Sequence, residues 1–304
     1  MRALAIAMAL ATTAACDGER SGPRTSFSAE AAMGYIKTQL DFGPRIPGSI
    51  GHRRAGDWIV AQARARADTV TEQRWTHVTE QGDTLPLRNI FARFRPEASE
   101  RILYVAHWDT RPTSESASDP LRRKLPVPGA NDGASGVALL LALADVLKAT
   151  PPTVGVDLLF VDGEDYGDFP RGKDVLLGSK YFAANLPAPS YRPLFGIVWD
   201  MIGDASLQIY QEGHSVQRAP EVVSRVWDVA SRFGYSEWFI PRVGQFITDD
   251  HIPLLDAGLR VIDVIDIDYQ PYHHTPEDTY ERVSKESMQR VGDVATALVV
   301  GSGG

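Results

Sequence analysis

Four short apolar runs, residues 102–106, 156–161, 194–199 and 260–265, punctuate the chain. Between and around them lie longer stretches with helical spacing, residues 52–67, 134–148, 219–233 and 284–300. A run of five or six mostly apolar residues is too short for a helix and reads as a strand buried on both faces. Arg88-Asn89-Ile90-Phe91-Ala92-Arg93-Phe94 instead alternates polar with apolar, as a half-buried strand does. Strands alternating with helices predict a single α/β domain: a central mixed, mostly parallel sheet with helices on both faces. The 304 residues, 43% of them hydrophobic, are enough to bury a core of that size. In such sheets ligands gather beyond the carboxyl ends of the strands.

The first residues have another character. Met1-Arg2 precedes an apolar stretch, residues 3–11, and then Thr13-Ala14-Ala15-Cys16. A charged start, an apolar segment and small residues predict an export signal. The stretch falls short of the roughly 20 apolar residues a membrane span needs. Small residues before a lone cysteine resemble a bacterial lipobox. The expected organisation is a signal peptide over 1–15, a lipidated Cys16 opening a polar tether over 16–27, and a catalytic domain over 28–304. The protein is then exported and held at the membrane of the cell envelope by a lipid anchor. Cys16 is the single cysteine, so the domain has no internal disulfide. Net charge is -8 and no long Lys/Arg block occurs, which argues against a nucleic-acid partner.

The strand ends carry the chemistry. The run at 102–106 leads into His107-Trp108-Asp109. Asn131-Asp132-Gly133-Ala134-Ser135-Gly136 opens a helical stretch. The run at 156–161 ends in Asp162-Gly163-Glu164-Asp165, and the next in Asp200-Met201. Tyr272-His273-His274-Thr275-Pro276-Glu277-Asp278 lies near the C-terminus. Each has a bland reading: a satisfied polar residue, an Asp-Gly turn, a helix start, a surface pair. Together they are harder to dismiss. Carboxylates converging on the mouth of an apolar sheet repel one another and lose hydration, and a divalent cation offsets both costs. Mixed histidine and carboxylate donors favour zinc. Residues 133–137 do not complete a Gly-x-Ser-x-Gly elbow around Ser135, so a serine nucleophile is not expected. His251 is expected to be structural, beneath the site. His52, His77 and His214 are expected at the surface, and Asp266 and Asp268 in a solvated loop.

In this order the motifs resemble the family of zinc aminopeptidases that also contains the glutaminyl cyclases, over about residues 40–300. Leu177-Gly178-Ser179-Lys180-Tyr181-Phe182-Ala183 and Asp249-Asp250-His251-Ile252-Pro253-Leu254-Leu255 are closest to the cyclase branch. The resemblance implies Asp132, Asp165 and His274 as zinc ligands and Glu164 as the acid/base carboxylate. Asp249 would hold the departing amide group. In the two-zinc aminopeptidases, positions matching His107 and Asp200 bind a second metal, bridged by the residue matching Asp132. Three departures stand out. Asp165 replaces the glutamate of the animal enzymes, His273 replaces a tryptophan of the substrate pocket, and Phe169 is the nearest stand-in for another. The implied activity is cyclisation of N-terminal glutamine in peptides or proteins to pyroglutamate with release of ammonia, using one zinc. The alternative is removal of N-terminal residues with two zincs, and a non-catalytic peptide-binding lipoprotein is a third reading.

Overall fold

The computed structural model describes residues 24–300. The expected signal peptide, Cys16 and most of the tether lie outside the described residues. The strands are β1 (Thr69–Val78), β2 (Thr84–Phe94), β3 (Arg101–His107), β4 (Gly155–Val161), β5 (Phe195–Asp200), β6 (Ile209–Gln211), β7 (Phe239–Val243) and β8 (Val261–Ile265). The helices are α1 (Ala29–Asp41), α2 (Ile50–Arg64), α3 (Ala134–Ala149), α4 (Leu177–Ala184), α5 (Gly213–Arg218), α6 (Pro220–Arg232), α7 (His251–Asp256) and α8 (Lys285–Val300). Six strands form one sheet in the order β1-β2-β4-β3-β5-β8, and β6 and β7 pair separately. β4, β3, β5 and β8 run parallel, while β1–β2 and β2–β4 are antiparallel. The sheet is mixed, as the alternation of elements predicts.

Strand side chains alternate between faces, and the two cores follow that period. Ile102, Tyr104, Ala106, Val156, Leu158, Phe160, Ile197 and Trp199 pack against α1, α2, α3, α6 and α8. Leu103, Val105, Leu159, Val161 and Val198 pack on the other side with Phe182 of α4 and Leu254 of α7. Helices therefore cover both faces. α3 is buried at 13 of its 16 residues and is apolar all round, as a helix enclosed by other elements must be.

Gly136 sets how closely α3 approaches the sheet. A Cβ there would lie 2.3 Å from the Trp199 carbonyl oxygen. We expect Gly136→Ala to destabilise by about 1–3 kcal/mol through overpacking, despite alanine's better helix propensity. Thermal unfolding measures it, and an unchanged midpoint would show that α3 can shift freely.

Two boundaries differ from the sequence reading. Local pattern does not reveal β1, an edge strand that alternates only between exposed and half-buried residues and has no apolar run. Part of the expected tether is docked: Thr25 hydrogen-bonds Asp293, and Phe27 is buried against Gly292 of α8.

Candidate functional site

His107 ends β3, Glu164 and Asp165 follow β4, and Asp200 ends β5. These strands are parallel, so their ends bring the three segments to one edge of the sheet. Asp132 enters through the turn into α3. Gly133 holds φ 94° there, and a Cβ would meet the Asp109 carbonyl oxygen at 2.6 Å, so this position requires glycine. His107, Asp132, Glu164, Asp165, Asp200 and Asp249 are all buried, while His273 and His274 are half-buried.

Asp132 sits at the centre. Its Oδ1 lies 3.1 Å from His107 Nε2, and its Oδ2 lies 3.6 Å from His274 Nε2. His107 Nε2 is 3.2 Å from Asp200 Oδ1, and His274 Nε2 is 3.4 Å from Asp165 Oδ1. A tetrahedral zinc with bonds of about 2.0–2.1 Å places its donors about 3.3 Å apart. Two donor sets thus share Asp132, and both have spacings a zinc ion fits. His107, Asp132 and Asp200 form one compact group, and Asp132, His273 and His274 another. Asp165 approaches His274, but its Oδ1 accepts from Arg111 at 2.6 Å, while its Oδ2 is buried without a partner.

Several residues beyond the candidate ligands hold this arrangement. The Asp109 carboxylate accepts the backbone N–H groups of Glu164 (3.0 Å) and Asp165 (3.2 Å), fixing the turn that carries both. Asp278 accepts the N–H groups of Asn131 and Asp132 and the Tyr269 hydroxyl. Buried Arg45 donates to the carbonyls of Trp108, Pro128 and Gly129. Glu115 Oε1 lies 2.7 Å from His274 Nδ1, leaving Nε2 to face the carboxylates. Of these, Asp109 and Asp278 stand in the motifs. The others act across long sequence separations that no local pattern records.

Burial pushes the Glu164 carboxyl well above the usual range, and the charges of Asp165, Asp249 and Asp250 push it further against the pull of His107. Burial likewise raises Asp165 to about 7 and Asp249 to about 6. Burial would raise Asp132 too, but its hydrogen bond with His107 and the charges of His107 and His274 hold it well below the ordinary value. Burial lowers His273 to about 4, helped by the charge of His274, so its imidazole is neutral and able to donate a lone pair.

The remaining predicted residues fall as follows. Asp249 is buried with Oδ2 unpartnered. His251 lies fully buried between Glu212 (3.2 Å) and Asp263 (3.8 Å), in the structural place expected, although Asp249, His251 and Asp263 are themselves close enough to hold a cation. Phe169 is half-buried beneath the Arg111 guanidinium and lines a cleft with Leu176, Ile252 and Pro253. Ser135 is buried, donates to the Asn131 carbonyl and accepts from the Ile202 N–H, and so is structural.

Four residues sit deeper than expected. His52 is not at the surface: its Nε2 lies 2.8 Å from Asp162 Oδ1 and its ring stacks on Trp108. His77 pairs with Asp174 at 2.7 Å, and His214 packs half-buried against Phe246. Asp266 is not solvated. It is buried and accepts the N–H groups of Gln208 and Asp268, whereas Asp268 is exposed.

The sequence model described as Peptidase family M28 matches residues 89–299. Aminopeptidase YwaD of Bacillus subtilis is 29% identical over 212 residues, which make up 65% of this chain but only 40% of that protein. The solved glutaminyl cyclase of Bacteroides thetaiotaomicron, bound to N-acetylhistamine, is 35% identical with a TM-score of 0.88, covering 92% of this chain and 100% of its own. A structure described as a leucine aminopeptidase precursor from the same organism matches with the same identity and TM-score, covering 92% and 99%.

Proposed function

The chain belongs to peptidase family M28, and from that premise we propose that it is a zinc enzyme of peptide N-termini, converting N-terminal glutamine to pyroglutamate with release of ammonia. The observation that carries the choice is Asp249. It is a buried carboxyl with one unpartnered oxygen, raised to about 6 by burial and by the charge of Asp200, and its own charge acts on Glu164. Cyclisation uses such a group, because the substrate's departing amide needs an acceptor while a second carboxyl moves the proton. The likeness to the Bacteroides glutaminyl cyclase over its full length supports the same reading.

Asp132, Asp165 and His274 would hold the zinc, which when bound polarises the γ-carboxamide carbonyl. The rest is the work of this chain's side chains. The substrate's neutral α-amine attacks the side-chain carbonyl carbon, and Glu164 takes the proton that its nitrogen sheds. The new C–N bond closes the lactam ring as the bond to the amide nitrogen breaks. Glu164 returns the proton to that nitrogen, which leaves as ammonia. Asp249 accepts a hydrogen bond from the carboxamide NH₂ and keeps the leaving group in line.

A second reading rests on the His107–Asp132–Asp200 group, which can take another zinc. With two ions, Glu164 would deprotonate water and the peptide bond after the first residue would be cleaved. Metal analysis separates the two: about one zinc per chain for the cyclase, two for the aminopeptidase. Asp249→Ala should lower cyclisation by roughly 10–100-fold, the worth of one hydrogen bond to a charged group, with zinc content unchanged. Wild-type cyclisation in that variant would remove Asp249 from the reaction. Export and lipid anchoring at Cys16 belong to the same proposal, supported by the order of residues 1–16, and fractionation of the native host tests them.

A further inference from the structure

The candidate site is walled by carboxylates, but one stretch of its rim has the opposite sign. Leu121, Arg122, Arg123, Lys124 and Leu125 are all exposed, and Arg122–Lys124 form a 3-10 turn. Short contacts tie this turn to the site. The Ser114 N–H donates to the Arg123 carbonyl at 3.0 Å, and the Ser116 N–H donates to the His274 carbonyl at 3.3 Å. Between those serines, Glu115 touches His274 Nδ1, and Arg122 pairs with Glu277, three residues beyond His274. The charge of Arg122 is therefore matched. Arg123 donates Nε to the Ala117 carbonyl, and among the described residues neither Arg123 nor Lys124 has a carboxylate within 4.0 Å. In a chain of net charge -8, two unmatched cations flanked by Leu121 (78% exposed) and Leu125 (46% exposed) stand beside the carboxylate-lined mouth.

A peptide that enters amine first meets two fields of opposite sign. The carboxylates inside attract its α-ammonium, and the residues behind the N-terminus pass the basic rim. We propose that the 121–125 turn binds the substrate segment following the first residue, and that the preferred substrates are peptides acidic just behind their N-terminus. The inference rests on the reading of the site as one for peptide N-termini, and not on which reaction follows. Exposed charge pairs are individually weak, so two of them yield a preference of roughly 3–10-fold, and salt diminishes it.

The test uses two peptides that begin with glutamine and differ only in carrying Asp-Glu or Lys-Lys at their third and fourth residues. Their affinities for zinc-loaded Glu164→Gln protein are measured calorimetrically at low and high salt, and their turnover by the wild-type enzyme is followed separately. The acidic peptide should bind roughly 3–10-fold more tightly at low salt, with the ratio shrinking at high salt. Combining Arg123→Glu with Lys124→Glu should reverse the ratio. Lys124→Glu alone disturbs no hydrogen bond of the turn and should move it the same way. Equal affinities, a ratio unmoved by either variant, or failure of both peptides to bind would overturn the proposal. So would variants that alter only binding to phosphatidylglycerol vesicles, because the turn would then serve a lipid surface. A retained affinity ratio without turnover of either peptide would count against cyclisation while leaving this inference standing.

Discussion

Replacing Glu164 by glutamine should yield a folded, zinc-loaded protein whose turnover falls by at least ~10²–10⁴-fold, the usual weight of general acid/base catalysis. The geometry explains why the loss is confined to chemistry. Glu164 and Asp165 are adjacent, and their backbone N–H groups are both held by Asp109. Their side chains then diverge: Glu164 Oε2 lies 3.6 Å from His107 Nδ1, while Asp165 turns to Arg111 and His274. On the proposed reading one carboxyl carries a proton while its neighbour faces the metal site. Glutamine keeps the shape and the hydrogen bonding but cannot shuttle a proton. Cyclisation and peptide cleavage both need that carrier, so both should fail, whereas a peptide-binding protein would keep its affinity. Wild-type turnover in a zinc-loaded variant would contradict the division of roles within the pair.

Asp132→Ala and His274→Ala should each abolish zinc binding and activity together, because each leaves too few ligands to hold the metal against water. Asp132 should be the more severe loss. Its two oxygens face different partners, His107 at 3.1 Å and His274 at 3.6 Å, so it serves both donor sets. The fold should survive, since both side chains lie outside the apolar cores that hold the sheet and helices together. Metal analysis of the purified variants reads the outcome, and full zinc in either would take that residue out of the metal's coordination.

The strands that position the site were legible because they are buried on both faces. β3, β4, β5 and β8 coincide with the four apolar runs to within a residue or so at either end. The helical stretch expected at 134–148 is α3, Ala134–Ala149, whereas the one expected at 52–67 begins and ends earlier, as Ile50–Arg64. The donors were legible because parallel strands deliver their ends to one place. What local pattern does not record is contact between distant segments. Asp278 cradles Asn131 and Asp132 from 147 and 146 residues away, and Arg45 reaches carbonyls near residues 108 and 129. His52 looked superficial because its partners, Asp162 and Trp108, lie on other elements. Asp266 looked solvated because an Asp-Ile-Asp pattern does not reveal that its first carboxylate is enclosed by backbone N–H donors.

The most direct test of the proposed activity is incubation of the zinc-loaded enzyme with two peptides that differ only in beginning with glutamine or leucine, read by mass spectrometry. Cyclisation predicts that the glutamine peptide loses ammonia with its chain otherwise intact, and that the leucine peptide is unchanged. Release of free leucine, with the glutamine peptide shortened rather than cyclised, would contradict it and assign the site to the aminopeptidase.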